Sequence, residues 1–192
     1  KKLKVNYVFI PKIKHIYSAQ KKIKIQLKEN EKILCAKYRK GHFEGVIDVM
    51  TRLTKLIKPS KIFMGEKDFQ QLLLVKKYIE NYYDVKIISC KTIRDKNKVA
   101  LSSRNFLLSK NEINRAGKIA KKLISLRKNT FGKKNLKIIF KNLKNEFKNL
   151  YDVHIEYLEM RNQKNLKITS KKKNAKIFIA YYINNVRLID NF

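Results

Sequence analysis

Residues 61 to 71, KIFMGEKDFQQ, change period within the space of a turn. Lys61 to Met64 reads as a short apolar strand, Gly65 breaks it, and Phe69, Leu72, Val75 and Ile79 then fall on one face of a helix. The charged turn Glu66-Lys67-Asp68 lies between the two. In an open parallel α/β sheet, ligands bind at the carboxyl ends of the strands, where the next helix presents its first N–H groups to an anion. Lys67 adds a positive charge there, Gly65 lets a ligand approach the backbone, and Asp68 can cap the helix. The segment points to an anion site on a strand-to-helix turn, with a phosphate as the first candidate.

The flanking sequence repeats the alternation. Lys4 to Pro11, KVNYVFIP, predicts a buried strand closed by Pro11, and Lys22 to Leu27 a weaker one. In RKGHFEGV, residues 39 to 46, two glycines bracket His42-Phe43-Glu44 and mark a tight loop opening into a helix. That helix would carry Val46, Val49, Met50, Leu53 and Leu56 on its apolar face and stop before Pro59. Val85 to Ile93 is a β-branched run suited to a parallel strand buried on both faces. Strand, helix, strand, helix, strand is the α/β signature.

Arg94 to Lys98 is a polar break, and it divides the chain into domains at 1–94 and 95–192. Beyond it Ser109 and Glu112 fit a capping box, and two helices follow, one with Ile113, Ala116, Ala120, Leu123 and Ile124 on a face and one from Asn135 to Leu150. The last forty residues alternate with period two. Asn184-Asn185 separates two such runs as a hairpin turn would, so this end is a small antiparallel sheet.

Composition bounds the function class. No apolar run is long enough to span a membrane and no signal-like segment opens the chain, so the expected location is the cytoplasm. Cys35 and Cys90 have neither metal-ligand nor disulfide spacing. The formal charge of +32 raises the possibility of a basic nucleic-acid-binding protein. Against it, only eight of the 47 basic residues are Arg, and the lysines are spread along the whole chain with abundant Asn and Ile, as A/T-biased codon usage would give. Compositional drift is the simpler account, and nucleic acid is not expected as the partner.

Three constellations could carry chemistry. In the first, Lys67 could neutralise a phosphate, Asp68 hold a ribose hydroxyl or a metal, and Gln71 face back toward the turn; the plainer alternative is that Asp68 and Gln71 are a capping pair. In the second, Leu101-Ser102-Ser103-Arg104-Asn105, two hydroxyls and a guanidinium could clamp phosphate oxygens. The third pairs Arg39 with His42.

In this order and spacing, RKGHFEGV, FMGEKDFQQL, VALSSRNFLLS and the closing VRLIDN resemble the pantothenate synthetase (pantoate–β-alanine ligase) family over essentially the whole chain. The family's first third, with its His-x-Gly-His motif, has no counterpart here: the chain looks like a fragment, beginning with Lys1 rather than Met. The resemblance implies the later part of a Rossmann-like, HxGH nucleotidyltransferase-type parallel-sheet domain, followed by a small α+β domain acting as a lid.

It further implies that pantoate and ATP form a pantoyl adenylate and diphosphate, that β-alanine then displaces AMP, that Mg2+ accompanies the ATP, and that the protein is a homodimer. By motif, Gly65, Glu66, Lys67, Asp68, Ile93, Leu101, Ser102, Ser103 and Arg104 would contact ATP, with Lys67 and Arg104 catalytic on its phosphates. Gln71 would bind pantoate, and Arg39 and His42 would form pocket wall. Cys35 replaces an acidic residue of the family pattern, Lys40 a proline, and DKNKVALSS lacks the usual glycine. The fragment alone is expected to be inactive. Another adenylate-forming ligase of the same fold is the alternative within the enzyme class.

Overall fold

The computed structural model describes residues 4–17, 25–129 and 135–192. The chain divides into two compact units, Lys1–Phe63 with Leu73–Ile88, and Met64–Leu72 with Ser89–Phe192.

The first unit contains the short helices α1 (Ile13–Ile16) and α2 (Cys35–Tyr38) and the longer α3 (His42–Ile57). α3 begins at His42, four residues before the Val46 that opens the expected face, so His42-Phe43-Glu44 form its first turn rather than a loop. Gly41 before it takes φ 77°, a left-handed conformation open to glycine, and the helix ends at Lys58, just before Pro59 as expected. Its buried stripe is Phe43, Ile47, Thr51 and Thr54, together with Arg52. The expected face is only half-buried, and Leu56 is exposed. Positions 43, 47, 51 and 54 keep helical spacing as well as the predicted set does, and they place the large Phe43 ring inward. Arg52 is held by Asp48 at 2.7 Å, an i,i+4 pair.

Strand β1 (Lys61–Gly65) leads through one 3-10 turn, Glu66–Asp68, into α4 (Phe69–Val75), which loosens into a π-helical turn, Lys76–Glu80. Phe69, Leu72, Val75 and Ile79 are all buried, as their spacing requires. β2 (Lys86–Cys90) pairs with β1 in a two-stranded parallel sheet. Burial on both faces does not hold for this strand: Val85 and Ile87 are buried, but Ser89 and Cys90 are exposed, since the described sheet has two strands and little covers it.

Lys4 to Pro11 is not a strand. Val5, Tyr7, Val8 and Ile10 are each more than half exposed. A strand is held by its ladder to a neighbour, and no described residue pairs with this segment. Of the weaker strand at Lys22 to Leu27, residues 22–24 lie outside the described residues, and 25–27 are irregular.

In the second unit, α5 (Lys110–Asn129) and α6 (Leu136–Tyr151) pack on an antiparallel sheet of order β3 (His154–Asn162), β4 (Ala175–Ile183), β5 (Val186–Asn191). The Ser109–Glu112 capping box forms: Ser109 N–H donates to Glu112 Oε2 at 2.6 Å, and Glu112 N–H to Ser109 Oγ at 3.3 Å. Asn135 caps α6 by accepting from Ile138 N–H. Ile183 faces Val186 across the Asn184-Asn185 turn, with Asn184 at φ 48°.

Ala116 and Leu123 of α5, Phe147 of α6, and Ile179 and Ile183 of β4 are fully buried in this core. Burying a side chain such as Phe147 contributes about 2–3 kcal/mol. Between Ile155 and Tyr157 the β3–β4 register slips, leaving Glu156 as the extra residue of a bulge. The expected architecture, an α/β part followed by an antiparallel sheet with helices, is the one observed.

Candidate functional site

β1 delivers the chain to the Glu66–Asp68 turn through Gly65, whose φ of −72° any residue could adopt. A Cβ placed on Gly65 would meet nothing within 4 Å. The fold itself does not demand glycine there, and the open space beside the backbone is room for a ligand to approach. Lys67 is largely shielded, its ammonium 3.9 Å from the half-exposed Asp68 carboxylate. The 3-10 turn opens at Gly65, which has no side chain to cap it, and Asp68 at its end pairs with Lys67. Glu66 Oε1 accepts from Ser89 Oγ at 2.7 Å, and Lys176 lies 3.9 Å from Oε2. Gln71 is half-buried on the first turn of α4, next to the buried Gln70.

Residues 93–101 double back on themselves. Leu101 N–H donates to Ile93 O at 2.9 Å, Arg94 bridges Ala100, and Asp95 closes the turn by accepting from Lys98 N–H on its carbonyl and from Val99 N–H on its side chain. The Ile93 carbonyl is therefore committed to the loop, while its side chain is exposed. Lys98, in this glycine-free turn, has φ 73°. Asn97 in this turn sits against Gly117 of α5 so closely that a Cβ there would be 2.8 Å from Asn97 Cβ and O.

The segment Leu101 to Arg104 runs into a 3-10 turn, Ser103–Leu107. Ser102 Oγ accepts from Arg104 N–H at 3.2 Å and starts that turn. Ser103 is exposed. Arg104 Nη1 donates to Arg187 O at 2.9 Å, which aims the guanidinium without neutralising it. Phe106 and Leu107, next in the chain, are exposed.

One strand supports all three segments. Asn191 Nδ2, at the end of β5, donates to Glu66 O at 2.8 Å and Lys67 O at 3.0 Å. Asp190 takes both Nη atoms of Arg94, at 2.6 and 2.9 Å, and Asn191 O accepts from Arg94 Nη2 at 3.0 Å. Arg187 holds Arg104 through its carbonyl while its own guanidinium is clamped by the bulged Glu156, with both groups buried. The bulge turns Glu156 toward this partner. Burial pushes the Asp190 carboxyl up, against the pull of Arg94, the Asn191 N–H and Lys67. Burial likewise pushes the Lys176 ammonium down, against Glu66. Glu66, Arg94, Arg127, Lys176 and Asn191 line a cavity of about 300 Å³.

The second unit thus brings together Gly65, Glu66, Lys67, Asp68, Gln71, Ile93, Leu101, Ser102, Ser103 and Arg104. Arg39 and His42 belong to the first unit, where His42 opens α3 and its N–H donates to Arg39 O at 3.2 Å. Sequence reasoning named VRLIDN but gave Asp190, Asn191 and Glu156 no part in the site. The available signal was two polar residues ending an apolar strand; in the structure both are at least nine-tenths buried.

The family model for pantoate-beta-alanine ligase matches residues 1–192. Among curated relatives, the pantothenate synthetase of Flavobacterium psychrophilum is 38% identical over 81% of this chain and 56% of its own length. That of Endomicrobium trichonymphae is 34% identical over 100% of this chain and 68% of its own. The chain therefore spans between about half and two thirds of these two relatives. The crystal structure of pantothenate synthetase from Thermus thermophilus superimposes with a TM-score of 0.89 at 26% identity, covering 100% of this chain and 70% of that one. The pantoate-beta-alanine ligase of Francisella tularensis, complexed with beta-gamma ATP and beta-alanine, gives a TM-score of 0.68 at 34% identity over 88% of this chain and 57% of its own. With the strand-to-turn site, the Ser-Ser-Arg loop and the closing strand all in place, the chain belongs to the pantoate-beta-alanine ligase family.

Proposed function

We propose that this chain is the part of a pantoate-beta-alanine ligase that grips the phosphates of ATP during condensation of pantoate with β-alanine. The observation that carries this is the suspension of Lys67 and Arg104 from one strand, β5: Arg104 is held by a carbonyl that leaves its charge in place, and Lys67 has only the half-exposed Asp68 carboxylate, 3.9 Å away, beside its ammonium. The Francisella relative, solved with a nucleotide and β-alanine, supports the same ligands here.

A pantoate carboxylate oxygen attacks the α-phosphorus, diphosphate leaves, and the β-alanine amine then attacks the acyl carbon. AMP departs carrying the former carboxylate oxygen, and the amine loses a proton. Little covalent chemistry falls to the protein, so fixed positive charge aimed at the phosphates does most of the work. Lys67 and Arg104 supply it. Gly65, Glu66, Asp68, Ile93, Leu101, Ser102 and Ser103 line the nucleotide, Gln71 donates to pantoate, and Arg39 and His42 form wall.

Among the described residues no three His, Cys, Asp or Glu side chains cluster as a metal cage. Mg2+ would arrive on the ATP phosphates and need at most one carboxylate, which Glu66 or Asp68 of the turn could supply. Residues 1–94 would then belong to the nucleotide-binding domain and 95–192 to the lid, in a cytoplasmic homodimer. No helix among the described residues is long and apolar enough to cross a membrane. Since no His-x-Gly-His occurs in residues 1–192, these residues alone are expected not to turn over.

The test is isotopic. The full-length protein, given ATP, Mg2+, β-alanine and pantoate labelled with 18O in its carboxylate, should return AMP carrying one label. Pantothenate formed together with unlabelled AMP excludes the adenylate, and no pantothenate at all excludes the reading.

A further inference from the structure

Asn191 is 3% exposed, and its amide is used asymmetrically. Both Nδ2 bonds go to consecutive backbone carbonyls, those of Glu66 and Lys67, whereas the buried Oδ1 has no hydrogen-bond partner among the described residues. A residue kept for general polarity would satisfy its acceptor too, because an unpaired buried oxygen is costly. Here only the two donors are employed, and both are spent on the turn that carries Lys67.

The consequence is geometric. In a trans peptide the C=O and N–H point in opposite directions, so fixing two successive carbonyls on one amide fixes the planes on both sides of the Lys67 Cα. With those planes set, the direction in which Lys67 leaves the backbone is set as well. Asn191 is itself held: its N–H donates to Asp190 Oδ1 at 2.7 Å, its carbonyl accepts from Arg94 at 3.0 Å, and Asp190 is locked to the same Arg94. The strand, the Arg94 turn and the Lys67 turn form one hydrogen-bonded unit.

We propose that Asn191 is a positioning residue that aims Lys67 at the phosphates by pinning the Glu66 and Lys67 carbonyls. This rests on the ATP-dependent reading above. Asn191 itself touches no substrate; it acts through Lys67. Replacing it by Asp keeps the shape but sets a carboxylate against two carbonyl oxygens, and replacing it by Ala removes the donors without adding charge.

The experiment is a double-mutant cycle in the full-length protein, with kcat, KM for ATP and amide hydrogen exchange of residues 65–69 read for Asn191→Asp, Asn191→Ala, Lys67→Ala and the two doubles. Misplacing a group by about 1 Å can cost about 10²-fold in rate, and a loss of that order in kcat, with KM for ATP changed far less, is expected of Asn191→Asp. Exchange at 65–69 should rise while helix α6, distant in sequence, keeps its protection. On the Lys67→Ala background either substitution should lose nearly all of its effect, because the group it aims is gone. Equal losses on both backgrounds, or full activity in both single variants, overturns the proposal. A wild-type protein that makes no AMP overturns the ATP reading and this inference with it, and that result is visible before any variant is made. If Asn191→Asp does not fold, Asn191→Ala carries the cycle alone.

Discussion

Arg94 and Asp190 stand 96 residues apart in sequence and meet through two parallel N–H···O bonds of 2.6 and 2.9 Å, with the carboxylate buried. Such a fork-to-fork pair fixes orientation as well as distance. Removing Asp190 leaves the partly exposed Arg94 guanidinium bonded to the Lys98 and Asn191 carbonyls but without its counter-charge, so Asp190→Ala should cost about 3 kcal/mol of stability, the low end for a broken buried pair. Urea unfolding, with the slope checked for constancy, measures it. A loss below about 1 kcal/mol would mean that water takes over the guanidinium freely.

Arg104 is anchored by one Nη to the Arg187 carbonyl. A lysine cannot keep that anchor and present a second N–H to a phosphate in the same plane. Arg104→Lys should therefore recover little of the activity lost in Arg104→Ala, with kcat reduced about 10²-fold or more in both. Steady-state assays of diphosphate release decide; near-full activity of the lysine variant would show that charge alone suffices.

Gly117 lies where the Asn97 backbone presses on α5. Gly117→Ala puts a methyl 2.8 Å from Asn97 Cβ and O, and the obstructing oxygen is backbone. Overpacking of this kind costs roughly 1–3 kcal/mol, more than the helix gains from alanine. The expected result is a lowered midpoint in thermal unfolding, and a raised one would show that the 95–98 turn gives way.

Lys98 occupies the left-handed region at φ 73°. A non-glycine residue there loses roughly 1–2 kcal/mol, offset partly by glycine's larger backbone entropy. Lys98→Gly should be neutral to stabilising by up to about 1 kcal/mol. Calorimetry of the single variant against wild type is enough, and a clear destabilisation would point to a contact of the lysine stem.

The backbone N–H and hydroxyl of Ser109 hold the Glu112 carboxyl below its ordinary value of 4.5. A depressed carboxyl stabilises the fold above its unfolded pKa and loses that contribution as pH falls through the folded one. Stability at the start of α5 should decline below about pH 4.5 in wild type, and Glu112→Gln should flatten that part of the profile. Acid titration followed by helix signal separates them, and identical profiles would leave the capping box without an ionic part.

What was legible in the sequence depended on range. Local chemistry came through: the Ser109–Glu112 box, the Asn184-Asn185 hairpin, the stop of α3 before Pro59 and the period change at Gly65 are each decided within a few residues. Pairing at long range did not. Lys4 to Pro11 has the residues of a strand but no described partner, and α3 turns a different stripe inward because two stripes had helical spacing. For the candidate site, the sequence named charged motifs that the structure gathers in one unit, but not the strand that mounts them. Nothing local in Asp190 or Asn191 announces a partner some hundred residues earlier.

The mounting of three loops on β5 also sets a clock. Residues 65–104 leave the ribosome well before 186–191, and until that strand is made the Lys67 turn lacks its amide and Arg94 its carboxylate. The hydrogen bonds that set the Lys67 turn and Arg104 should therefore form late in synthesis and abruptly. A chain halted at Asn185 would hold every cationic side chain named for the nucleotide and none of the hydrogen bonds from β5 that aim them.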